Sequence, residues 1–337
     1  MTTSLPTRKV GPFTVSAIGL GCMNLSHAYQ PRPDTAEAER LLLHALDAGV
    51  TFFDTAALYG FGANETLLGR SIMHRRDEFV LASKCVLGEI DGKRGLDGSP
   101  AAITRTLDDA LVRLGTDHID LYYLHRLDRG VPIEESVGAL VRAVEAGKIG
   151  AIGLSEMSAE TIRRAHAVHP VAAVQTEYSP WVRNVEIAVL DACAELDIGF
   201  VAFSPLARGL LAGGVTSADF LPGDIRASMP RFVEPHIGHN LALYERLRQV
   251  AAGLGCTPAQ LCLAWVLSRR DFIVPIPGTT SIAHLDEDLA TLSLDIPADA
   301  LAVVDAIFPV GAASGPRYGR EAQVQSDTEV WADEELA

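Results

Sequence analysis

The feature that most constrains this chain is a strict alternation of short apolar runs and amphipathic segments, repeated eight times. The runs fall at residues 17 to 21, 51 to 54, 79 to 84, 119 to 124, 149 to 154, 171 to 175, 199 to 203 and 272 to 276. A helical pattern follows each one. Within a run the apolar residues are continuous rather than alternating, which marks strands buried on both faces and so a parallel sheet covered by helices. Eight such units close a (β/α)8 TIM barrel. The competing arrangement, an open doubly wound sheet, requires a glycine-rich fingerprint after its first strand. Gly19-Leu20-Gly21-Cys22-Met23-Asn24 offers two glycines and no third in register.

Three stretches lie outside the repeat. Residues 8 to 16, turning on Gly11-Pro12, read as an N-terminal β-hairpin. Residues 206 to 239 are too long for a simple connection and carry Gly213-Gly214, Pro222-Gly223 and Pro230, the marks of a flap or binding loop. Residues 297 to 308 read as an extra C-terminal helix, and a polar tail follows from Gly311. The whole chain, 1 to 337, is expected to be one domain, with the barrel at about 17 to 292.

Composition narrows the class. A hydrophobic content of 48% supplies a large core. Asp plus Glu number 43 against 28 Lys plus Arg, a net charge of -15 that argues against nucleic acid and anionic membrane surfaces as partners. Cys22, Cys85, Cys193, Cys256 and Cys262 show no paired spacing, which suits reduced thiols. With no apolar leader and no run near a membrane span of about 20 residues, the expected location is cytoplasmic.

Chemistry gathers where strands end. Asp54 closes the second run, Lys84 the third and His125 the fourth, with Tyr59 on the loop between the first two of these. A desolvated carboxylate at a strand tip needs a cation or hydrogen bonds. Lys84 supplies that cation, and its charge would also lower the pKa of a nearby phenol. Alone, each of these residues is more often structural; at adjacent strand ends they suit proton transfer to a carbonyl oxygen. No Gly-x-x-x-x-Gly-Lys-Ser/Thr, His-Glu-x-x-His, Gly-x-Ser-x-Gly or zinc-spaced Cys/His group occurs, so no metal is expected. Phe203 to Gly209 and Pro277 to Ser281, after the last two strands, offer backbone amides, hydroxyls and Arg208 for an anion, where barrels tend to hold phosphate.

Asp54-Thr55-Ala56-x-x-Tyr59-Gly60, Lys84 and Asp117-x-x-Asp120-Leu121-Tyr122-x-Leu124-His125 resemble the active-site segments of the aldo-keto reductases, and the resemblance runs over nearly the full chain. It is nearer the bacterial and fungal branch that contains pyridoxal reductases and relatives of potassium-channel β subunits. The resemblance implies an NADPH-dependent reductase of a small aldehyde or ketone, with Tyr59 as general acid, Asp54 and Lys84 as its tuning pair, and His125 orienting the carbonyl. By the same resemblance, Ser155, Glu156 and Gln175 hold the carboxamide, with Glu156 standing where many members have Asn. Phe203 stacks on the nicotinamide; Ser204, Leu206 and Arg208 match the pyrophosphate segment; Gly278, Thr279, Thr280, His284, Glu287 and Asp288 match the adenosine segment. Gly21, Cys22, Met23 and Asp54 complete the cofactor set, and Met23, Tyr29, Leu58 and Trp181 the substrate pocket. Gly278, Ser281 and His284 stand where many NADPH-using members have lysine or arginine, and Asp288 where Asn is common, so a 2′-phosphate would meet hydroxyls, an imidazole and Arg208, and NADH is the alternative cofactor. Two alternatives accompany this expectation: the same residues working mainly as an alcohol or sugar dehydrogenase, or an NADP(H)-loaded interaction subunit.

Overall fold

A computed structural model describes residues 5 to 90 and 92 to 337. The chain opens with an antiparallel hairpin, β1 (Thr7–Val10) and β2 (Phe13–Ser16), followed by β3 (Leu20–Gly21). From there helix follows strand: α1 (Thr35–Asp47), β4 (Phe52–Asp54), α2 (Ala63–Ile72), β5 (Val80–Cys85). A second hairpin, β6 (Leu87–Ile90) and β7 (Lys93–Leu96), precedes α3 (Pro100–Leu114), β8 (Ile119–Leu124), α4 (Ile133–Glu145), β9 (Ile149–Ser155), α5 (Ala159–Val168) and β10 (Val171–Glu177). Then come α6 (Val189–Glu195), β11 (Gly199–Phe203), α7 (Ile237–Leu254), α8 (Pro258–Arg269), β12 (Ile273–Ile276), α9 (Ile282–Ala290), α10 (Ala298–Ile307) and α11 (Arg320–Val324).

The eight parallel strands run β3, β4, β5, β8, β9, β10, β11, β12 across the sheet. Gly19 N donates to Pro275 O (3.0 Å) and Gly21 N to Pro277 O (3.1 Å), joining first strand to last and closing the expected (β/α)8 barrel. Its interior is filled by Phe52, Leu121, Tyr123, Val201 and Val274, with Val10 and Val15 rising from the N-terminal hairpin. Gly153 makes room for the buried Tyr123 ring, since a Cβ there would overlap it. The hairpin closes the bottom of the barrel: Gly11 sits where a Cβ would meet Ala172 at 2.6 Å, and Arg8 donates to the carbonyls of Leu267, Arg270 and Ile273.

Helix boundaries follow local signals. Asp34 and Glu37 form a capping box on α1, Ser99 with Pro100 opens α3, and Gly115 in the left-handed conformation ends it. The helix expected over 184 to 196 is shorter, because residues 184 to 186 form a separate 3-10 turn. Hairpin β6–β7 has no signal in the sequence; Gly88, Glu89, Lys93, Arg94 and Gly95 give it no apolar alternation to read. Among the described residues no single helix is long and apolar enough to cross a membrane.

Candidate active site

Side chains alternate along β5, so Ala82 and Lys84 face the barrel interior. The register sets Asp54 opposite Ala82 and Lys84 opposite Tyr123, two residues before His125. Lys84 Nζ donates to Asp54 Oδ1, to Thr55 O at 2.9 Å and to the Tyr59 hydroxyl at 3.1 Å. Gln175 Nε2 donates to the other Asp54 oxygen at 2.7 Å. The four residues Asp54, Tyr59, Lys84 and His125 are all buried. Tyr59 reaches them from a loop whose next three residues, Gly60, Phe61 and Gly62, all have positive φ and turn the chain into α2. Asn64 fixes that loop by accepting from Thr55 Oγ1 (2.6 Å) and donating to Cys22 O and Ser26 Oγ (2.9 Å each). The Tyr59 and His125 rings meet edge to face at 5.9 Å, while His27 stacks on Tyr59 at 6.2 Å. Asp120, in the same sequence motif as His125, works structurally, accepting from Leu81 N (2.6 Å) and Arg76 (2.5 Å).

Electrostatics in this pocket are dominated by burial. It pulls Lys84 down, but Asp54 and Tyr59 outweigh it and hold the ammonium above its ordinary range. Burial pushes Asp54 up against the pull of Lys84 and Gln175. For Tyr59 burial also wins: the phenol lies above its ordinary value although Lys84 pulls it down. The expectation of an acidified phenol is therefore corrected, because the cost of a desolvated phenolate exceeds what one lysine, itself shared with Asp54, returns. His125 falls well below its ordinary value through burial, then Arg126 and Lys84, so its ring is neutral near pH 7. Its Nδ1 is buried without a partner among the described residues.

The other expected site residues divide into groups. Ser155 lies at the end of β9, where its Oγ accepts from Arg126 Nη1 at 3.3 Å. Glu156 follows it with positive φ, and its oxygens take Arg317, the Glu177 amide (3.0 Å), Ser326 Oγ (2.9 Å) and Thr328 Oγ1 (3.2 Å). Burial would raise its pKa, but Arg317 and Arg126 bring it to about 2. With both oxygens engaged, Glu156 does not fit a carboxamide as an Asn would. Phe203 ends β11 half-buried, and Ser204, Ala207 and Arg208 after it all have positive φ. The amides of Leu206 and Arg208 find no acceptor among the described residues, while the Arg208 guanidinium pairs with Glu177 at 3.1 Å.

At α9, the Thr279 hydroxyl accepts from Ser281 N and the Ser281 hydroxyl from His284 N, but the amides of Gly278, Thr279 and Thr280 find no acceptor among the described residues. Gly21 and Gly278 pack tightly, a Cβ at either meeting a neighbour's oxygen within 3 Å. Thr280 and His284 are exposed and Glu287 half-buried, whereas Asp288 is buried and raised to about 8 by burial and by Glu287. Two sets of free amides, one beside an arginine and one at a helix N-terminus, fit the phosphates of an extended dinucleotide.

In the expected substrate pocket, Met23 and Leu58 pack with Tyr59 and Leu87. Tyr29 and Trp181 are instead covered by guanidinium groups, Arg226 at 5.0 Å and Arg231 at 5.5 Å. Cys22 is buried behind the loop. Sequence reasoning missed Arg126, Glu177, Arg231, Arg317 and Tyr318. The signal for Arg317 was present: an acid at the end of a buried strand, Glu156, demands a cation by the same logic applied to Asp54.

A barrel with a buried lysine bridging an acid and a phenol at its strand ends is an enzyme architecture, and comparison with known proteins specifies it. Residues 17 to 308 match the model of the aldo/keto reductase family. The chain belongs to that family of oxidoreductases. It is 44% identical over 329 residues to the aldo-keto reductase yakc [NADP(+)] of Schizosaccharomyces pombe, covering 92% of this chain and 96% of the relative. The glycerol dehydrogenase AKR11B4 from Gluconobacter oxydans superposes with a TM-score of 0.80 at 28% identity, covering 89% of this chain and 94% of that one. The aldo-keto reductase AKR11C1 from Bacillus halodurans does so with 0.75 at 26%, covering 94% and 99%.

Proposed function

We propose that this chain is an NADPH-dependent carbonyl reductase in which Tyr59 protonates the oxygen of a small aldehyde or ketone. The observation that carries the reading is the pair of bonds from Lys84 Nζ, to Asp54 and to the Tyr59 hydroxyl at 3.1 Å, beside a neutral His125. NADPH, when bound, supplies the hydride. The phosphate-sized donor sets after β11 and before α9 support a dinucleotide, and the cofactor in the name of yakc supports the phosphorylated form. Phe203 offers a flat face for the nicotinamide, and Ser155 and Gln175 polar groups for its carboxamide.

As negative charge grows on the carbonyl oxygen, the Tyr59 hydroxyl gives up its proton, and the Lys84 ammonium stabilises the phenolate that remains. Asp54 keeps Lys84 charged and aimed. The neutral His125 ring carries one N–H that can hold the carbonyl oxygen against Tyr59. A phenol raised above its ordinary value stays protonated through neutral pH, the form that reduction needs. The reduction rate is therefore expected to be level from about pH 6 to 8 and to fall only in alkaline solution. Tyr59→Phe is expected to lower kcat about 10²- to 10⁴-fold while NADPH still quenches protein fluorescence as in the wild type. Near-normal turnover in that variant would refute the role of Tyr59.

A further inference from the structure

We propose that Arg231, with Arg208 and Arg317, forms a seat for an oxyanion, carboxylate or phosphoryl, at the mouth of the barrel. The proposal rests on the reductase reading above. The three arginines come from separate segments: the turn after β11, the long loop before α7, and the tail. Two of them converge on one carboxylate. Arg208 reaches Glu177 at 3.1 Å and Arg317 reaches it at 3.0 Å, with the Tyr318 hydroxyl on the same oxygen at 3.1 Å. Arg317 is shared with Glu156, so Arg208 and Arg317 meet two carboxylates, and Arg231 lines the same crevice as a third cation.

Arg231 is the group left over. It is only 8% exposed, its Nε is used by Gly315 O at 3.0 Å, and its Nη1 is fully buried with no partner among the described residues. A buried cationic donor without an acceptor is costly. Burial lowers this guanidinium to about 10, which leaves it charged at neutral pH. The crevice that Arg231 shares with Arg208, Arg317, Glu177 and the Trp181 and Phe232 rings has no room for a water molecule, so water does not answer the orphan. One of its walls, Met229 to Phe232, belongs to the long loop before α7 and is the wall that moves to admit a ligand. An entering oxyanion supplies the missing acceptor at Arg231 Nη1 and the one negative charge by which Glu177 and Glu156 fall short of the three arginines. The rings of Trp181 and Phe232 suit the flat body of a ligand whose anionic end sits there.

Two sources share this chemistry, the diphosphate of the cofactor and an acidic group on the substrate, and one variant separates them. Binding of ADP to the cofactor-free protein is measured by calorimetry, and kcat/KM is compared for 4-carboxybenzaldehyde and benzaldehyde, in wild type and Arg231→Met. Loss of one charge-assisted hydrogen bond is expected to cost roughly tenfold. Weaker ADP binding with an unchanged aldehyde ratio assigns the seat to the cofactor; unchanged ADP binding with a fallen preference for the acidic aldehyde assigns it to the substrate. Both support the seat, and recovery by Arg231→Lys, which restores charge, separates it from a packing effect. Should Arg231→Met fail to fold, Arg231→Gln carries both assays, because it removes the charge while keeping a polar end of similar reach. Unchanged values in both assays overturn the seat. A wild-type chain that reduces neither aldehyde with NADPH refutes the reductase reading, whereas wild-type turnover with no effect at Arg231 refutes the seat alone.

Discussion

Asp288 shows how one residue's surroundings set its chemistry. Asp288 lies buried on α9, and burial followed by the charge of Glu287 raises its carboxyl to about 8. A carboxylic acid kept neutral has one donor and one acceptor, the pattern of the Asn that the family resemblance sets at this position. The cost is pH-dependent. With a folded value of about 8 against 3.8 for the free group, the native state is most favoured below 3.8 and loses stability as pH rises through that window. Asp288→Asn removes the titration, so the variant's gain in melting temperature over wild type is expected to be larger at about pH 8 than at about pH 5. Equal gains at both pH values would contradict the neutral-acid account. The same physics explains why the sequence misled at Tyr59. Spacing made Lys84 visible as a neighbour of the phenol, but the extent of desolvation is a property of the assembled pocket and outweighs the charge.

Among elements, the C-terminal tail was the least legible and is among the most tightly bound. Its composition is polar with few apolar anchors, so neither period nor turn signals assign it a place. What fixes it is pairing with partners far away in sequence. Arg317 binds Glu156 and Glu177, Asp327 accepts from Ser158 and Thr161, Gln325 accepts from Arg94 on β7, and Asn184 donates to Glu329 O and Glu334. The strands were legible because each carries its own apolar run. The tetrad was legible because three of its members end such runs. Glu156 is the hinge of the tail's attachment, and its folded value of about 2 against 4.5 means that the stability it contributes is fully present above pH 4.5 and is lost as pH falls towards 2. Glu156→Gln is therefore expected to loosen the tail at neutral pH, seen as faster trypsin cleavage after Arg317 or Arg320 while the barrel resists. Cleavage as slow as in the wild type would show that Glu177 and Asp327 hold the tail without it.

At the scale of the whole molecule, stability and site geometry share one source. The barrel interior is packed by side chains from the parallel strands together with Val10 and Val15 of the N-terminal hairpin, and the ends of β4 and β5 carry Asp54 and Lys84, with His125 following β8. Eight apolar runs announced that interior, but not the Gly153–Tyr123 fit inside it, which depends on register between β8 and β9. Leu121 is fully buried there, two residues before Tyr123 on β8. Leu121→Ala leaves a cavity that close-packed neighbours on several strands fill only in part, a loss of about 2–5 kcal/mol. Because β8 leads directly into His125 and pairs with the strand bearing Lys84, the barrel cannot relax around that cavity without moving the site. Far-UV circular dichroism and reductase activity are therefore expected to be lost together on heating, at a lower temperature than in the wild type. The Glu156→Gln change should leave that transition almost in place. If Leu121→Ala lost activity well below its circular dichroism transition, the mouth would be an independently melting layer and the strand ends would not be rigid extensions of the packed interior.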